Sequence, residues 1–303
     1  TYSALAAVGP SSGAVEAAVA LPAVGRVAVD RGLAWVGGDD SGTVSAIDTR
    51  TRRLVRTVAV GLFPTDIAAA AGSVWVIDAG TGRLARIDAA YGRIRETARV
   101  LAPSGADRFE LETTAVAVGA GGVWITDGSE RLVRVDPETA ATTAAIETGQ
   151  PLVGVAAGAG AVWAISGEAA QVLRIDPATN AVTNRIDIVD DPRLESPFPI
   201  AVAAAEGAVW VLNGNTAAVT RIDPRSLGIV TTVRIGVERV PAQIAADERA
   251  AWVANGDGTL TRVDALSDEA RTFEVGRTLR DVAVGGGAVW ATNRLADCCG
   301  QEQ

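Results

Sequence analysis

The chain has 303 residues and a formal net charge of -9, with 27 basic residues, all of them arginine, against 36 acidic ones. A surface that follows nucleic-acid phosphates needs clustered cations, so this balance argues against a nucleic-acid partner. Histidine and lysine are both absent, which excludes Ser-His-Asp triads, Schiff-base chemistry and His-ligated metals.

Seven tryptophans divide the chain into repeats, with intervals of 40, 49, 39, 47, 42 and 38 residues: Trp35, Trp75, Trp124, Trp163, Trp210, Trp252 and Trp290. A period of about 40 to 45 residues is typical of propeller blades with four strands. Short apolar runs separated by Gly, Asn and Asp indicate strands and hairpins rather than helices. None of these runs approaches the roughly 18 residues of a membrane span.

Each repeat has the same parts in the same order, which we name strands A to D. Strand A is an apolar run before the Trp, strand B carries the Trp, strand C ends in Ile-Asp or Val-Asp, and strand D follows. The sequence therefore predicts an all-β fold, a seven-bladed β-propeller of four-stranded antiparallel blades. A Trp that recurs at one offset in every blade is best explained by packing between adjacent blades.

The two ends of the chain predict how the ring closes. The stretch from Thr1 to Pro22 aligns with Thr43 to Pro64, and it places Leu5-Ala6 where other repeats have Ile-Asp. The chain ends after strands A and B, so we expect N-terminal strands C and D to pair with them. Blade 7 then combines residues from about 275–303 with 1–21, and 1–303 forms a single domain. Because neither an initiating Met nor a signal peptide is present, we expect Thr1 to mark a processed end or a boundary within a longer protein.

The repeat pattern Val-Trp-Val-x-Asn, Arg-Ile-Asp-Pro-x-Thr and Pro-x-x-Ile-Ala resembles the YVTN-type propeller repeats, which are related to streptogramin-lyase-like propellers. The resemblance covers essentially the whole chain. It implies a propeller fold in a family that includes enzymes, secreted binding proteins and bacterial sensor modules. Streptogramin-lyase-like enzymes use a His general base with a magnesium site, and this chain has no matching His, so the resemblance does not carry that activity over.

Candidate ligand-binding residues stand nine positions before each Trp, where strand A begins. Blades 6, 7, 1 and 2 supply Gln243, Asp281, Arg26 and Asp66 there, whereas blades 3 to 5 supply Ala115, Gly154 and Ala201. The mouth of the central channel is therefore predicted to have a polar arc facing an apolar one, as small-ligand pockets often do. The alternative is an internal Arg-Asp network that only seals the channel.

Two long intervals add residues between strand D and the next strand A, at 101–110 and 187–198. Connections from D to A and from B to C emerge on one face of a propeller, so both insertions are predicted to rise over the polar arc. Each contains an Arg and an aromatic residue, which gives four more ligand-binding candidates: Arg108, Phe109, Arg193 and Phe198. Loops on a rigid scaffold are where recognition concentrates, and a plain solvated insertion is the competing interpretation.

Three recurring residues favour structural roles. The Asp that ends strand C is predicted to cap the following turn, and the Arg two residues before it is predicted to pack or pair between blades. The residue three after each Trp opens the B to C turn, mostly as Asp or Asn. Two of these, Asn255 and Asn293, border the predicted ligand face and are also ligand-binding candidates. Cys298 and Cys299 are expected to be thiols in a terminal tail, and neither a metal nor a cofactor is predicted.

These features together favour a noncatalytic propeller. We expect an exported, extracellular or cell-surface binding or sensor module of a larger bacterial protein, which recognises a small molecule, polymer or protein on the D to A face. The alternative is a lyase or hydrolase that uses carboxylates or a divalent ion at the channel mouth, with Asp66 and Asp281 central.

Overall fold

The computed structural model describes residues 3–38, 41–103, 113–189, 197–236 and 241–294, and within them no residue lies in an α-helix. No helix with the length and hydropathy of a membrane span occurs in these ranges. The described residues form 28 strands. The strands of the first three complete blades are β3 (Val27–Asp30), β4 (Leu33–Gly38), β5 (Thr43–Asp48), β6 (Arg53–Ala59), β7 (Asp66–Ala70), β8 (Ser73–Asp78), β9 (Arg83–Asp88), β10 (Arg93–Arg99), β11 (Thr114–Gly119), β12 (Gly122–Asp127), β13 (Arg131–Val135) and β14 (Thr142–Glu147).

The remaining strands continue the same order around the ring. Blades 4 to 6 contain β15 (Gly154–Gly158), β16 (Ala161–Ser166), β17 (Gln171–Asp176), β18 (Ala181–Asp187), β19 (Pro199–Ala205), β20 (Ala208–Asn213), β21 (Ala218–Ile222), β22 (Ile229–Arg234), β23 (Pro241–Ala246), β24 (Ala250–Asn255), β25 (Thr259–Asp264) and β26 (Ala270–Glu274). Blade 7 contains β27 (Leu279–Gly285), β28 (Ala288–Arg294), β1 (Ser3–Val8) and β2 (Val15–Leu21).

The strands assemble into seven antiparallel sheets of four, and the innermost strand of each sheet contacts the innermost strand of the next. The predicted all-β, seven-bladed propeller is therefore confirmed. In the sheet of blade 7 the order is β2-β1-β28-β27, so the first strand of the chain pairs with the last.

The alignment of Thr1 with Thr43 is wrong by three residues. Ala4 pairs with Asn293 across β1 and β28, and Thr43 pairs with Gly38 across β5 and β4. Asn293 and Gly38 each lie three residues after the Trp of their blade. Ala4 is therefore the structural equivalent of Thr43.

The corrected register puts Val8-Gly9, and not Leu5-Ala6, in the position of Ile47-Asp48. Gly9 donates its N–H to the carbonyl of Ala14 at 2.9 Å and accepts the N–H of Gly13 at 2.8 Å, as the Asp residues do in other blades. The Ala- and Val-rich strand β1 contains no residue that marks the register, so the sequence match followed similar Thr and Ser residues instead. Hydrogen bonds to β28 decide the register.

Each seam between two blades contains one Trp. All seven indole rings are 0 or 1% exposed, and each belongs to a core cluster that also contains side chains of the following blade. Trp35 of blade 1, for example, packs with Ile67, Val76 and Ile87 of blade 2. The predicted packing of Trp between blades is confirmed.

In blades 2, 3 and 5 the Arg of strand C lies over the Trp of its own blade and reaches the next blade. The guanidinium carbon of Arg134 is 4.9 Å from the centroid of the Trp124 ring, within the range of a cation–π contact. Arg134 also donates to the carbonyl oxygen of Pro177, in the C to D turn of blade 4, at 2.7 Å. Arg86 and Arg221 cover their own Trp and bond to the following blade in the same way. The predicted role between blades is confirmed for these three arginines. Arg262 covers Trp252 but pairs with Asp264 of its own blade, and Arg174 bonds to Thr183 of its own blade.

The Asp at the end of strand C caps the C to D turn as predicted. The Oδ1 atom of Asp136, for example, accepts the N–H groups of Glu138 and Thr139 at 2.9 and 2.8 Å. These amide hydrogen bonds are the main reason why the pKa of Asp136 lies below its ordinary value of 3.8. The carboxylate is therefore ionised and already occupied at neutral pH.

The seams differ in whether the indole N–H of their Trp has a hydrogen-bond acceptor. Trp290 donates its Nε1–H to the carbonyl of Gly285 at 3.0 Å, whereas Nε1 of Trp35 is buried and has no hydrogen-bond partner among the described residues. A side chain at Gly285 would lie 2.6 Å from Val29 of the next blade, so glycine also permits the close approach of the two blades.

These two tryptophans form a matched pair for mutation, since both are fully buried and both lie opposite an alanine on strand C. We predict that Trp290→Phe lowers the free energy of unfolding by about 1 to 2 kcal/mol more than Trp35→Phe, because only Trp290 loses a hydrogen bond. Guanidinium-induced unfolding, followed by far-UV circular dichroism, measures both changes. Equal losses would contradict the assignment.

Candidate functional site

The candidate site lies on the face where the A strands begin and the B strands end. Antiparallel pairing brings these ends together, as Leu279 with Asn293 in blade 7 shows. The D to A connections and the B to C turns emerge on this face. We call it the entry face.

Asp66 and Asp281 each link their own blade to the next one. Asp66 accepts the N–H of Val116 at 2.8 Å with Oδ2, and the N–H of Ile67 at 2.9 Å with Oδ1. Asp281 accepts the N–H of Val27 at 2.7 Å with Oδ2. In both cases the carboxylate satisfies a backbone amide at the start of the neighbouring inner strand, which would otherwise be left without a partner.

Arg26 lies beside Asp66 at the mouth of the channel. Its Nε atom is 4.0 Å from Oδ1 of Asp66 and donates to the carbonyl of Thr65 at 3.4 Å. The side chains of Arg26 and Asp66 remain 23 and 17% exposed, whereas Asp281 is only 5% exposed. The three residues come from consecutive blades 7, 1 and 2, so the predicted polar arc includes an acid-arginine-acid cluster.

Burial raises the pKa of Asp281 to about 7. The positive charge of Arg26 opposes this shift, and the negative charge of Asp66 adds to it. The pKa of Asp66 is also raised by burial and opposed by Arg26. The single guanidinium and the backbone amides therefore offset only part of the free-energy cost of removing both carboxylates from water.

Gln243 holds the fourth position of the polar arc and bonds within its own strand. Its Oε1 atom accepts the N–H of the next residue, Ile244, at 3.0 Å. On the opposite side of the ring, Ala201 and Gly154 are buried at the equivalent positions. The two arcs therefore differ in chemistry as the sequence indicates.

The structure places Asn255 and Asn293 inside the protein. Asn255 is fully buried and donates to the hydroxyls of Thr259 and Thr261 at 3.0 and 2.9 Å. Asn293 is 5% exposed, and its Oδ1 atom accepts the N–H of Arg277 at 3.2 Å. Both amides thus organise the turns and connections beneath the entry face.

Asp78, which follows Trp75 by three residues, has the same tethering role and was not among the predicted site residues. Its Oδ2 atom accepts the N–H of Phe63 at 3.4 Å, and its Oδ1 atom accepts the N–H of Thr81 at 3.2 Å. Phe63 lies in the connection from blade 1 to blade 2, and 63% of its surface is exposed. Phe63 can be recognised in the sequence as an aromatic residue in a D to A connection. Its connection has the ordinary length, however, and site residues were predicted only in the two connections that are longer than the repeat requires.

Of the four candidate residues in the two insertions, the structure describes Phe198. Its ring lies over the B to C turn of blade 4, where a Cβ atom on Gly167 would be 3.0 Å from the ring. Its backbone has a φ of 51°, and its carbonyl accepts the N–H of Gly214 at 3.0 Å. The side chain is 37% exposed on the entry face. Arg108, Phe109, Arg193, Cys298 and Cys299 lie outside the described residues.

The described ranges contain no group of three or more Asp, Glu, Cys or His side chains that could hold a metal ion. At the mouth of the channel, the described residues offer hydrogen-bonding groups and two carboxyl groups with raised pKa values.

No protein-family model and no curated protein sequence matches the chain. Solved structures match it in fold. BamB from Moraxella catarrhalis is 15% identical with a TM-score of 0.60, and the match covers 94% of this chain and 90% of that one. Hydrazine synthase from Kuenenia stuttgartiensis is 13% identical with a TM-score of 0.69, covering 90% and 93%. The propeller domain of Cps50 (Swd1) from Myceliophteria thermophila is 11% identical with a TM-score of 0.72, covering 90% and 97%.

These similarities establish the propeller fold. At such low identities they do not transfer an activity, and one of the similar structures is named as an enzyme. Function must therefore be argued from the residues of this chain.

The raised pKa of Asp281 predicts a specific dependence of stability on pH. In the unfolded chain Asp281 titrates near its ordinary value of 3.8, so between about pH 4 and 7 only the folded protein holds the proton. This contribution to stability is complete below pH 4 and is lost as the pH rises towards 7. Asp281→Asn keeps an oxygen for the N–H of Val27 and carries no charge. We predict that this substitution reduces the loss of stability between pH 4 and 7 and raises the free energy of unfolding at pH 8 by about 1 to 3 kcal/mol.

The control is Asp176→Asn. Asp176 caps an exposed turn, and hydrogen bonds from backbone amides lower its pKa, so its contribution is present at neutral pH and is lost on acidification. Urea unfolding between pH 4 and 8 compares the variants. An Asp281→Asn profile parallel to that of the wild type would disprove the assignment.

Proposed function

We propose that the chain is a noncatalytic propeller that binds a partner on its entry face, as an exported sensor or binding module of a larger bacterial protein. The resemblance to YVTN-type repeats supports the bacterial source and the export, and the use of arginine as the only basic residue fits a GC-rich bacterial genome. The noncatalytic assignment follows from the missing His and Lys and from the way the acids of the channel mouth are used.

The observation that carries this proposal is the engagement of Asp66 and Asp281 with the backbone. Both carboxylate oxygens of Asp66 accept amides, and Asp281 accepts the amide of Val27 across a seam. A carboxylate that acts on a substrate needs an oxygen within reach of the reacting atom. These acids instead hold adjacent inner strands together, and so fix the positions of the connections that form the entry face.

Exposed aromatic residues supply the recognition elements on that face. Phe63 and Phe198 lie in two different D to A connections and remain 63 and 37% exposed. The backbone of Phe198 keeps an unfavourable positive φ, which the hydrogen bond from Gly214 stabilises. Large, exposed aromatic side chains on loops are typical of binding surfaces. The insertions that contain Arg108, Phe109 and Arg193 belong to the same proposed surface.

We predict that a peptide selected against this face loses affinity when either exposed aromatic residue is removed. Peptides are selected from a random dodecapeptide display library on the wild-type protein and titrated by isothermal calorimetry. Phe63→Ala and Phe198→Ala should each weaken binding about tenfold, because each removes a large apolar contact. Leu266→Ala, at a 94% exposed residue of the opposite face, is the matched control and should leave the affinity unchanged.

The opposite result would reject the proposal. If Leu266→Ala weakens binding as much as the two Phe variants, the entry face is not the selective surface.

The alternative function is hydrolysis or elimination by a carboxyl group at the channel mouth. One observation favours it, because a carboxyl group with a pKa of about 7 can donate and accept protons at neutral pH. A thermal-shift titration with Ca²⁺, Mg²⁺ and Mn²⁺ separates the two functions. A stabilisation that Asp66→Asn abolishes would support the enzyme, whereas an unchanged melting temperature leaves the binding proposal in place.

A further inference from the structure

The outer rim of blades 1 and 2 is positively charged although the protein is acidic. We define the basic rim as β6, β10 and the turns that precede them, residues 48–59 and 88–99. These residues include seven arginines and three acids, a net charge of +4 in a chain of -9. The equivalent residues of blade 3, at 136–147, include three acids and no base, and those of blade 6, at 264–274, include four acids and one arginine. The positive charge is therefore local to two adjacent blades.

The fold does not use all of this charge. Arg56 donates to the carbonyl of Ala90 at 2.7 Å, and Arg95 pairs with Asp88 at 2.7 Å. Arg53, Arg93 and Arg99 are exposed, and within the described ranges they form neither a hydrogen bond nor an ion pair. The three acids of the basic rim cannot balance its seven arginines, and one of them, Asp88, is already paired with Arg95.

Apolar side chains are exposed between these arginines. Leu54, Val55 and Ile94 are 48, 46 and 40% exposed on the outer strands, and Tyr91 is 69% exposed in the turn before β10. The bond from Arg56 to Ala90 holds β6 against this turn, so the residues of the two blades form one continuous surface.

The basic rim also contains free strand edges. β6 and β10 are the outermost strands of their sheets, so within the described part of the chain their outward N–H and C=O groups have no neighbouring strand. Arginines at a strand edge can discourage pairing with another chain, but consecutive exposed apolar residues such as Leu54 and Val55 favour it. A peptide in extended conformation can bond to such an edge, and a lipid surface cannot.

We propose that the basic rim binds an acidic, extended peptide segment. Carboxylates of the peptide pair with Arg53, Arg93 and Arg99, and its apolar side chains contact Leu54, Val55 and Ile94. This surface is separate from the entry face, so the protein has a second binding site whose partner is chosen by charge.

The probe is a fluorescein-labelled decapeptide of alternating Glu and Val, measured by fluorescence anisotropy at low ionic strength. We expect the double variant Arg53→Glu/Arg93→Glu to weaken binding at least about tenfold, because two attractive contacts become repulsive. Leu54→Ser should also weaken binding, which a purely electrostatic attraction would not require. A peptide of alternating Lys and Val should not bind.

The outer edge of blade 5 provides the control. β22 exposes Ile229 and Val230; Arg225 lies in the turn before it and Arg234 is its last residue. The equivalent segment, residues 223–234, has Asp223 as its acid and therefore a net charge of only +1. Arg225→Glu/Arg234→Glu makes the same change in total charge and should leave the affinity within about twofold. Thermal unfolding of both variants confirms that each is folded.

Three results would overturn the proposal. An equal loss in both double variants would mean that the peptide senses only the total charge. Binding of phosphatidylserine vesicles without binding of the acidic peptide would assign the rim to a membrane surface. Self-association in sedimentation that Arg53→Glu/Arg93→Glu abolishes, again without peptide binding, would assign it to a second copy of the chain.

Discussion

The packing of one indole ring into each seam between blades is the interaction on which the ring depends. A Trp buries about 150 to 250 Å², so each ring contributes roughly 4 to 6 kcal/mol of apolar burial. Because every ring contacts the following blade as well as its own, no blade has a complete core by itself. The seams, and not the individual sheets, are therefore the units of stability.

Polar contacts at the two ends of a seam fix how far the blades can separate. At the outer end, an Arg of strand C bonds to the C to D turn of the next blade in blades 2, 3 and 5, and Arg56 of β6 supplies this contact in blade 1, where strand C has Ala46 instead. At the inner end, Asp66 and Asp281 accept amides from the next A strand. Carboxyl groups are strong acceptors for buried amides, although burial disfavours their charged form and raises the pKa of both acids.

The sequence was sufficient to predict the number of blades, the four strands in each, the role of Trp and the capping role of the Asp at the end of strand C. These features repeat, so each blade supplied independent support. The register of β1 was predicted incorrectly, because a strand of similar small apolar residues can be aligned equally well at several offsets. Single features such as the exposure of Phe63 and the tether from Asp78 could not be predicted, since they depend on how one connection folds over its neighbour. The polar arc was predicted from position alone, but the sequence did not reveal that its acids bond to the neighbouring blade.

The pairing of β1 with β28 has a consequence for the order of events during synthesis. β1 leaves the ribosome roughly 280 residues before its partner β28, so it waits roughly 15 to 60 s for that partner at ordinary rates of translation. Until then β1 and β2 are a hairpin without a sheet, and the last seam is open. The nascent chain must remain soluble with an unsealed ring throughout this period, and the glycines and charged turns between its strands limit premature pairing with other chains.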